Sequence, residues 1–299
     1  MIRRLLRSLW RAVTAPFRWI ARPFRALQHA LNDEPEETSA VDAFSRSVAN
    51  PAILVEHLEA LRGAMLRSLA AFFLTTILSF TFASRILDWL AGPIGGIGAL
   101  QAIEVTESVS AFMRVSLLGG FVLAFPYIGT EVFLFIAPGL KRRERLTVLT
   151  TIPAATVLFL AGAAFAYKIM LPVALPFLLN FMGITTVPRP ANYIRFVTGL
   201  LFWIGVSFQF PLVIYLLAAL GVVRARVLAE GWRFAIVGIA ILAAFVTPTV
   251  DPVNMALVMA PMITLYFLSI GLAAIAERGR KRRESKALAE AASDPSRAP

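Results

Sequence analysis

The chain has 299 residues, 58% of them hydrophobic and 16% charged, with a mean hydropathy of +0.74; soluble domains stay near half apolar and about a quarter charged, so this composition requires a bilayer as solvent. It has no cysteine and two histidines, His29 and His57, both ahead of the first long apolar stretch, which excludes disulfides, thiol nucleophiles and Cys-based metal sites and leaves the membrane interior without imidazole. The net charge of +11 would indicate nucleic acid if the basic residues shared one folded face, but they are distributed between the apolar stretches.

Residues 1–32 carry seven arginines and no acid. Arg3, Arg7, Arg11, Arg18, Arg22 and Arg25 recur at helical intervals opposite Leu6, Trp10, Phe17 and Phe24, with Pro16 and Pro23 dividing the helix. This reads as an amphipathic cytoplasmic extension on an anionic inner leaflet, with an Arg-rich transit peptide as the alternative. A continuous apolar run of the secretory kind is missing from it. Residues 33–50 form an acidic, polar linker, residues 51–277 a membrane domain, and residues 278–299 a cytoplasmic tail with a short helical start.

A hydrocarbon core near 30 Å takes roughly 17 to 25 helical residues, and the membrane domain offers six candidates. The first runs from Ser68 to Ser84 between Arg67 and Arg85, two arginines placed to snorkel to the interfaces. The second, Val115 to Phe135, is interrupted by Glu131; the third, Leu146 to Tyr167, and the fourth, Phe196 to Val223, are uncharged. The fifth, Phe234 to Val246, stops at Thr247-Pro248-Thr249 and covers only about 20 Å, which calls for a thinned bilayer or for Thr247 in the headgroup layer. The sixth follows Pro252 and ends at Glu277. Of the 29 Lys and Arg, 24 lie before the first span, in the 139–146 and 222–233 loops or after Glu277, so both termini are expected in the cytoplasm. Pro126 and Pro211 should bend their helices, and the expected fold is an all-α integral membrane protein with six transmembrane helices in a curved, concave bundle.

Polar residues against this background are the candidate sites. Glu56 and Glu59 stand one turn apart on a helix approaching the membrane, where they form either an acidic site or a solvated face paired with Arg62 or Arg67. Glu144 is the single acid among the four bases of Lys141-Arg142-Arg143-Glu144-Arg145, compensated locally or held as an acceptor for a guanidinium. Glu131, about one turn from the inner surface, either snorkels or faces protein, and mid-span Gln209 either joins two helices or lines a wet groove. On the outer side Glu107 precedes Arg114 by two helical turns, and Asp251 is placed to cap the sixth helix with Pro252 at its first position.

Four ordered motifs carry a resemblance: His57-Leu58 with Leu61-Arg62; Phe135-Ile136-Ala137-Pro138-Gly139-Leu140 followed by Glu144-Arg145; Gly205-Val206-Ser207-Phe208; and Thr247-Pro248 with Asp251-Pro252. Over about Glu56 to Arg278 the chain resembles the TatC family, the polytopic receptor of twin-arginine protein export. The resemblance implies a binding protein of the prokaryotic inner membrane with no catalytic step and no cofactor or metal. Its ligands would be the Arg-Arg signal peptides of folded precursors, read by Glu144 and by an acid of the first motif. Its partners would be single-span subunits of the TatA and TatB type, in a larger complex holding several copies of the chain. Where the family carries a glutamate immediately before the Leu-Arg pair this chain has Ala60, with Glu59 one position earlier and Glu56 a turn earlier. Gln209 replaces a membrane-embedded glutamate, so the expected groove is polar but uncharged, bordered by Gln209, Glu131 and Pro126. Thr247 and Met255 are the candidate partner contacts.

Two other classes compete. A small-solute secondary transporter fits six spans and a midplane glutamine but needs a coupling-ion site and, in many cases, internal repeats, which this sequence does not display. An intramembrane serine protease needs a base near Ser207, and no span contains histidine.

Overall fold

The computed structural model describes residues 51–137, 142–180, 186–247 and 252–293. Asp251, Pro138 to Lys141, the basic extension, the linker and the last six residues of the tail lie outside them. The helices are α1 (Pro51–Phe80), α2 (Ala83–Ala91), α3 (Thr106–Ile136), α4 (Arg142–Phe165), α5 (Leu171–Leu179), α6 (Pro190–Ser207), α7 (Phe210–Ala219), α8 (Ala225–Glu230), α9 (Trp232–Val246) and α10 (Pro252–Ser293), with a π-helical turn at Ala166–Met170. Among the described residues the chain is helix and turn without strand. Five stretches are long and apolar enough to cross a membrane: His57–Phe80, Thr106–Ile136, Val148–Leu179, Pro190–Ala219 and Pro252–Arg282. A shorter apolar helix, α9, has 15 residues, about 22 Å at 1.5 Å per residue, and stands where the short fifth span is expected from the sequence.

Several ends differ from those expected. The first span-capable stretch begins at His57 and not at Ser68, because Arg67, taken as an interfacial boundary, lies inside α1 paired with Glu131. The second begins at Thr106 and carries Arg114 as an interior residue. The fourth span is two helices broken at Phe208 and Gln209, with Pro211, which lacks an N–H, in the first turn of α7. Pro126, by contrast, sits inside an unbroken α3. The fourth span ends at Ala219, where Gly221 takes φ 80° and the N–H of Val222 bonds the carbonyl of Leu217 at 2.9 Å, a Schellman closure. The sixth continues past Glu277 to Ser293 through a run of helix formers, with Lys281 bonded to Glu277 at 2.9 Å.

The chain forms two compact units. One comprises Met1–Ala83 with Ser116–Thr156, the other Ser84–Val115 with Val157–Pro299. In the first, α1 meets α3 through small residues: a Cβ on Gly120 would stand 2.6 Å from the Cα of Thr76, and the Thr75 hydroxyl donates to the carbonyl of Gly120 at 2.8 Å. Without a hydrophobic force between helices in lipid, such close backbone approach supplies the attraction. In the second, α4 and α6 touch the same way. A Cβ on Gly162 would lie 2.8 Å from Phe208 Cγ, and one on Gly205 would lie 2.7 Å from Cε2 of Phe159, whose side chain is fully buried. This explains the Gly205 motif as packing. Gly205→Ala should therefore cost about 1–3 kcal/mol by overpacking, read as earlier thermal aggregation of the detergent-solubilised protein; unchanged thermal behaviour would show that this contact yields.

Several intramembrane hydroxyls bond carbonyls of their own helices, as a dry solvent favours, while Ser79 Oγ is buried with no partner among the described residues. Ser207 donates to the Trp203 carbonyl at 2.7 Å, Thr198 to Ile194 at 2.6 Å and Ser269 to Leu265 at 2.6 Å. Large apolar side chains such as Phe234 and Phe245 on α9, 84% and 77% exposed, face what the composition identifies as lipid.

Candidate functional site

The first unit holds the cytoplasmic motifs. His57 stacks on Phe135 with ring centroids 4.3 Å apart, tying the start of α1 to the end of α3. Glu59 and Arg62 follow on α1, both exposed and neither in an ion pair among the described residues. Nothing is described of the Glu56 or Glu144 side chains; the backbone sets Glu56 on α1 and Glu144 in the first turn of α4. Arg145 beside it is buried.

Between α1 and α3 lies an ion pair with a buried carboxylate and a half-buried guanidinium. Arg67 Nε and Nη2 donate to Glu131 Oε1 and Oε2, each at 2.8 Å, and the Tyr127 hydroxyl donates to Oε1 at 2.8 Å. Glu131 is 1% exposed. It neither snorkels nor opens a wet groove, because two guanidinium donors and a phenol occupy its oxygens in the fork geometry that makes arginine-carboxylate pairs strong. Arg67 is therefore unavailable as a counter-ion to Glu56 or Glu59. An apolar cavity of about 500 Å³ opens beside the pair, lined by Leu61, Met65, Leu69 and Phe72 of α1 with Phe121 and Phe135 of α3, and reached by Glu131. This cavity belongs to the first and second spans, and Pro126 is not among its lining residues.

The second unit carries the outer acids. Glu107, 3% exposed, does not pair with Arg114. Arg189 bonds it instead, through Nε at 2.7 Å and through Nη2, and Nη2 also reaches Glu104 at 3.0 Å. These hydrogen bonds, to Glu107 first and then Glu104, raise the guanidinium pKa above its ordinary value. Nearby, the Tyr167 hydroxyl donates to the Trp89 carbonyl at 2.6 Å and the Tyr193 hydroxyl to Leu90 at 2.8 Å, so the segment after α1 is bound to the helices beneath it at several points. Gln209 stands at the α6–α7 break, where its Nε2 reaches the Gly205 carbonyl at 3.4 Å. Thr247 is buried, with its hydroxyl on Ala243 at 2.9 Å, and Met255 is half-buried.

Sequence reasoning missed three of these partners. The sequence places Arg67 at an interface or beside Glu56 and Glu59, and it assigns no role to Tyr127 or Arg189. The available signal was depth matching: an arginine and a glutamate at similar distance from the same interface in consecutive spans, and two acids facing a single short basic stretch.

Residues 56–261 match the protein family described as Sec-independent protein translocase protein (TatC). The Sec-independent protein translocase protein TatC of Deinococcus radiodurans is 34% identical over 250 residues, covering 81% of this chain and 92% of that protein. The corresponding TatCd protein of Bacillus subtilis is 32% identical over 238 residues, covering 79% and 97%. A crystal structure of the twin arginine translocase receptor TatC superposes with a TM-score of 0.67 at 32% identity, over 74% of this chain and 99% of the other.

Proposed function

The chain belongs to the TatC family, and from that premise we propose that it is the multi-pass receptor component of a twin-arginine translocase in a prokaryotic inner membrane, with both termini cytoplasmic. Carboxylates at the inner rim bind the paired arginines of a signal peptide, and the signal's apolar run then enters the adjoining groove. Glu144 supplies one carboxylate and Glu59 the other, with Arg62 holding the local charge balance and Glu56 peripheral. The chain works with single-span partners of the TatA and TatB type in a complex of several copies, with half-buried Met255 as the partner contact, Thr247 being buried.

The observation that carries this reading is Glu59: an exposed carboxylate without an ion-pair partner among the described residues, one turn from the His57–Phe135 stack that steadies its helix. A solvated face would have used Arg62 or Arg67 as counter-ion, and Arg67 is committed to Glu131. Glu59→Ala should weaken photocrosslinking of an Arg-Arg precursor about tenfold or more, on about 1.5–3 kcal/mol for a charge-assisted bond, while Glu56→Ala leaves it near wild type. Equal loss in both variants would replace the two-carboxylate reading with diffuse electrostatics.

A further inference from the structure

The apolar cavity between α1 and α3 lies wholly in the first unit, and it is a groove with two distinct ends. Its walls are Met65 and Leu69 of α1 with Ile128 and Val132 of α3. One end opens at Leu61 and Phe135, beside the His57–Phe135 stack; the other is closed by Phe72 and Phe121, whose rings meet edge to face with centroids 6.4 Å apart. Apart from Ser68, the polar group it reaches is the Glu131 carboxylate, and Arg67 and Tyr127 occupy that. The walls therefore accept hydrocarbon and offer little to a polar ligand.

Length sets the class of occupant. Along α1 the groove runs from Leu61 to Phe72, about 16 Å at 1.5 Å per residue, and along α3 from Phe135 to Phe121, about 21 Å. A hydrocarbon core near 30 Å gives each leaflet about 15 Å. The groove thus suits the acyl chain of one leaflet, whereas a membrane-spanning partner helix would have to run past the aromatic floor. Phe72 lies about 12 Å from the far end of α1 at Phe80, which puts that floor near the bilayer midplane and the mouth near the headgroups.

Charge sets the headgroup. Arg62 is exposed and in no ion pair among the described residues. It stands one helical turn above Met65 and Leu66, both of which line the groove, so it shares their face. Helical side chains lean toward the N-terminus, which on α1 is the direction of the headgroup layer. Glu59, six residues from Met65 and about 120° around the helix from it, lies off the mouth and leaves it to the cation. A guanidinium above an apolar channel one leaflet deep matches a phosphodiester with its acyl chain beneath. Free phosphate would leave the walls unused, and a zwitterionic headgroup carries its own cation in competition with Arg62.

We propose that this groove holds one anionic phospholipid of the leaflet that α1 enters first, with the phosphate on Arg62 and one acyl chain lying between α1 and α3 down to Phe72. The site rests on membrane embedding and not on signal recognition; under the receptor reading, this lipid is what an incoming apolar run displaces. The full chain in detergent is to be titrated with phosphatidylglycerol, phosphatidylcholine and inorganic phosphate and read by native mass spectrometry, alongside Arg62→Gln, Arg62→Lys, the groove-filling Met65→Trp and, as a control in another basic segment, Arg224→Gln.

One phosphatidylglycerol adduct is expected on the wild type in preference to phosphatidylcholine. Arg62→Gln should reduce it about fivefold, the worth of one basic residue near an anionic headgroup; Arg62→Lys should retain it, and Met65→Trp should lose it with the charge intact. Equal retention of the two lipids, full retention in Met65→Trp, or equal loss in Arg224→Gln would overturn the site. Displacement of the lipid by millimolar inorganic phosphate would also overturn it, by showing that the acyl wall contributes nothing. Should Arg62→Gln fail to fold, the Met65→Trp comparison decides alone. None of these readouts involves a signal peptide, so the lipid site and the receptor reading fail separately.

Discussion

Glu144→Ala is expected to abolish crosslinking of an Arg-Arg signal peptide while the chain still inserts into the membrane. The first turn of a helix, where Glu144 stands, presents unpaired N–H groups and a positive dipole end that favour a negative side chain there. Four bases surround it in sequence, so its removal also leaves that loop purely cationic in front of a cationic ligand. Losing a charge-assisted, bidentate contact of about 1.5–3 kcal/mol weakens binding roughly ten- to a hundredfold, and the added repulsion acts in the same direction. Arg143→Ala, which removes charge without removing the acceptor, should preserve crosslinking. A Lys-Lys signal should bind the wild type poorly, because an ammonium lacks the planar fork. Normal crosslinking by Glu144→Ala would remove the central contact of the proposed receptor.

How much of this was legible in the sequence depends on what each residue's neighbours do. Apolar run length located five helices long and apolar enough to cross a membrane, and the shorter α9, since the apolarity of a run is a property of the segment and needs no partner. Their ends were less legible. Arg67 and Arg114 look like boundaries to any rule that places charge at an interface, yet a paired arginine within a helix bundle is no longer a free charge. Motif spacing singled out Gly205 without its reason, which is the close approach of Phe159 across a helix contact that a linear pattern does not encode. Glu107 was visible as an outer acid, but its partner lies 82 residues away in Arg189, beyond any helical-interval rule. The exposed carboxylate of Glu59 needed structure for the opposite reason: its meaning lies in Arg67 having gone elsewhere.

That commitment of Arg67 leads to the expectation with the largest structural effect. Arg67→Ala leaves Glu131, 1% exposed, as an uncompensated acid inside the helix pair, and Glu131→Ala strands the guanidinium. Breaking a buried pair from one side costs about 3–5 kcal/mol, far more than the intact pair contributes over an apolar replacement. Each single variant should therefore show sharply reduced accumulation and protease resistance. The exchange Arg67→Glu with Glu131→Arg should recover much of the loss, and the double apolar variant Arg67→Met with Glu131→Leu should be nearly as stable as wild type. Function separates those last two. In the exchange the two helices remain pinned below Glu59, whereas in the apolar pair they are held by packing alone and free to slide in register. Signal-peptide crosslinking should thus survive the exchange and fall in the apolar pair despite comparable stability. If both crosslink normally, the ion pair serves folding only and the receptor rim does not depend on the register it sets; if the exchange stays unstable, the pair's orientation toward Tyr127, which bonds Oε1 at 2.8 Å, governs more of its energy than its charge.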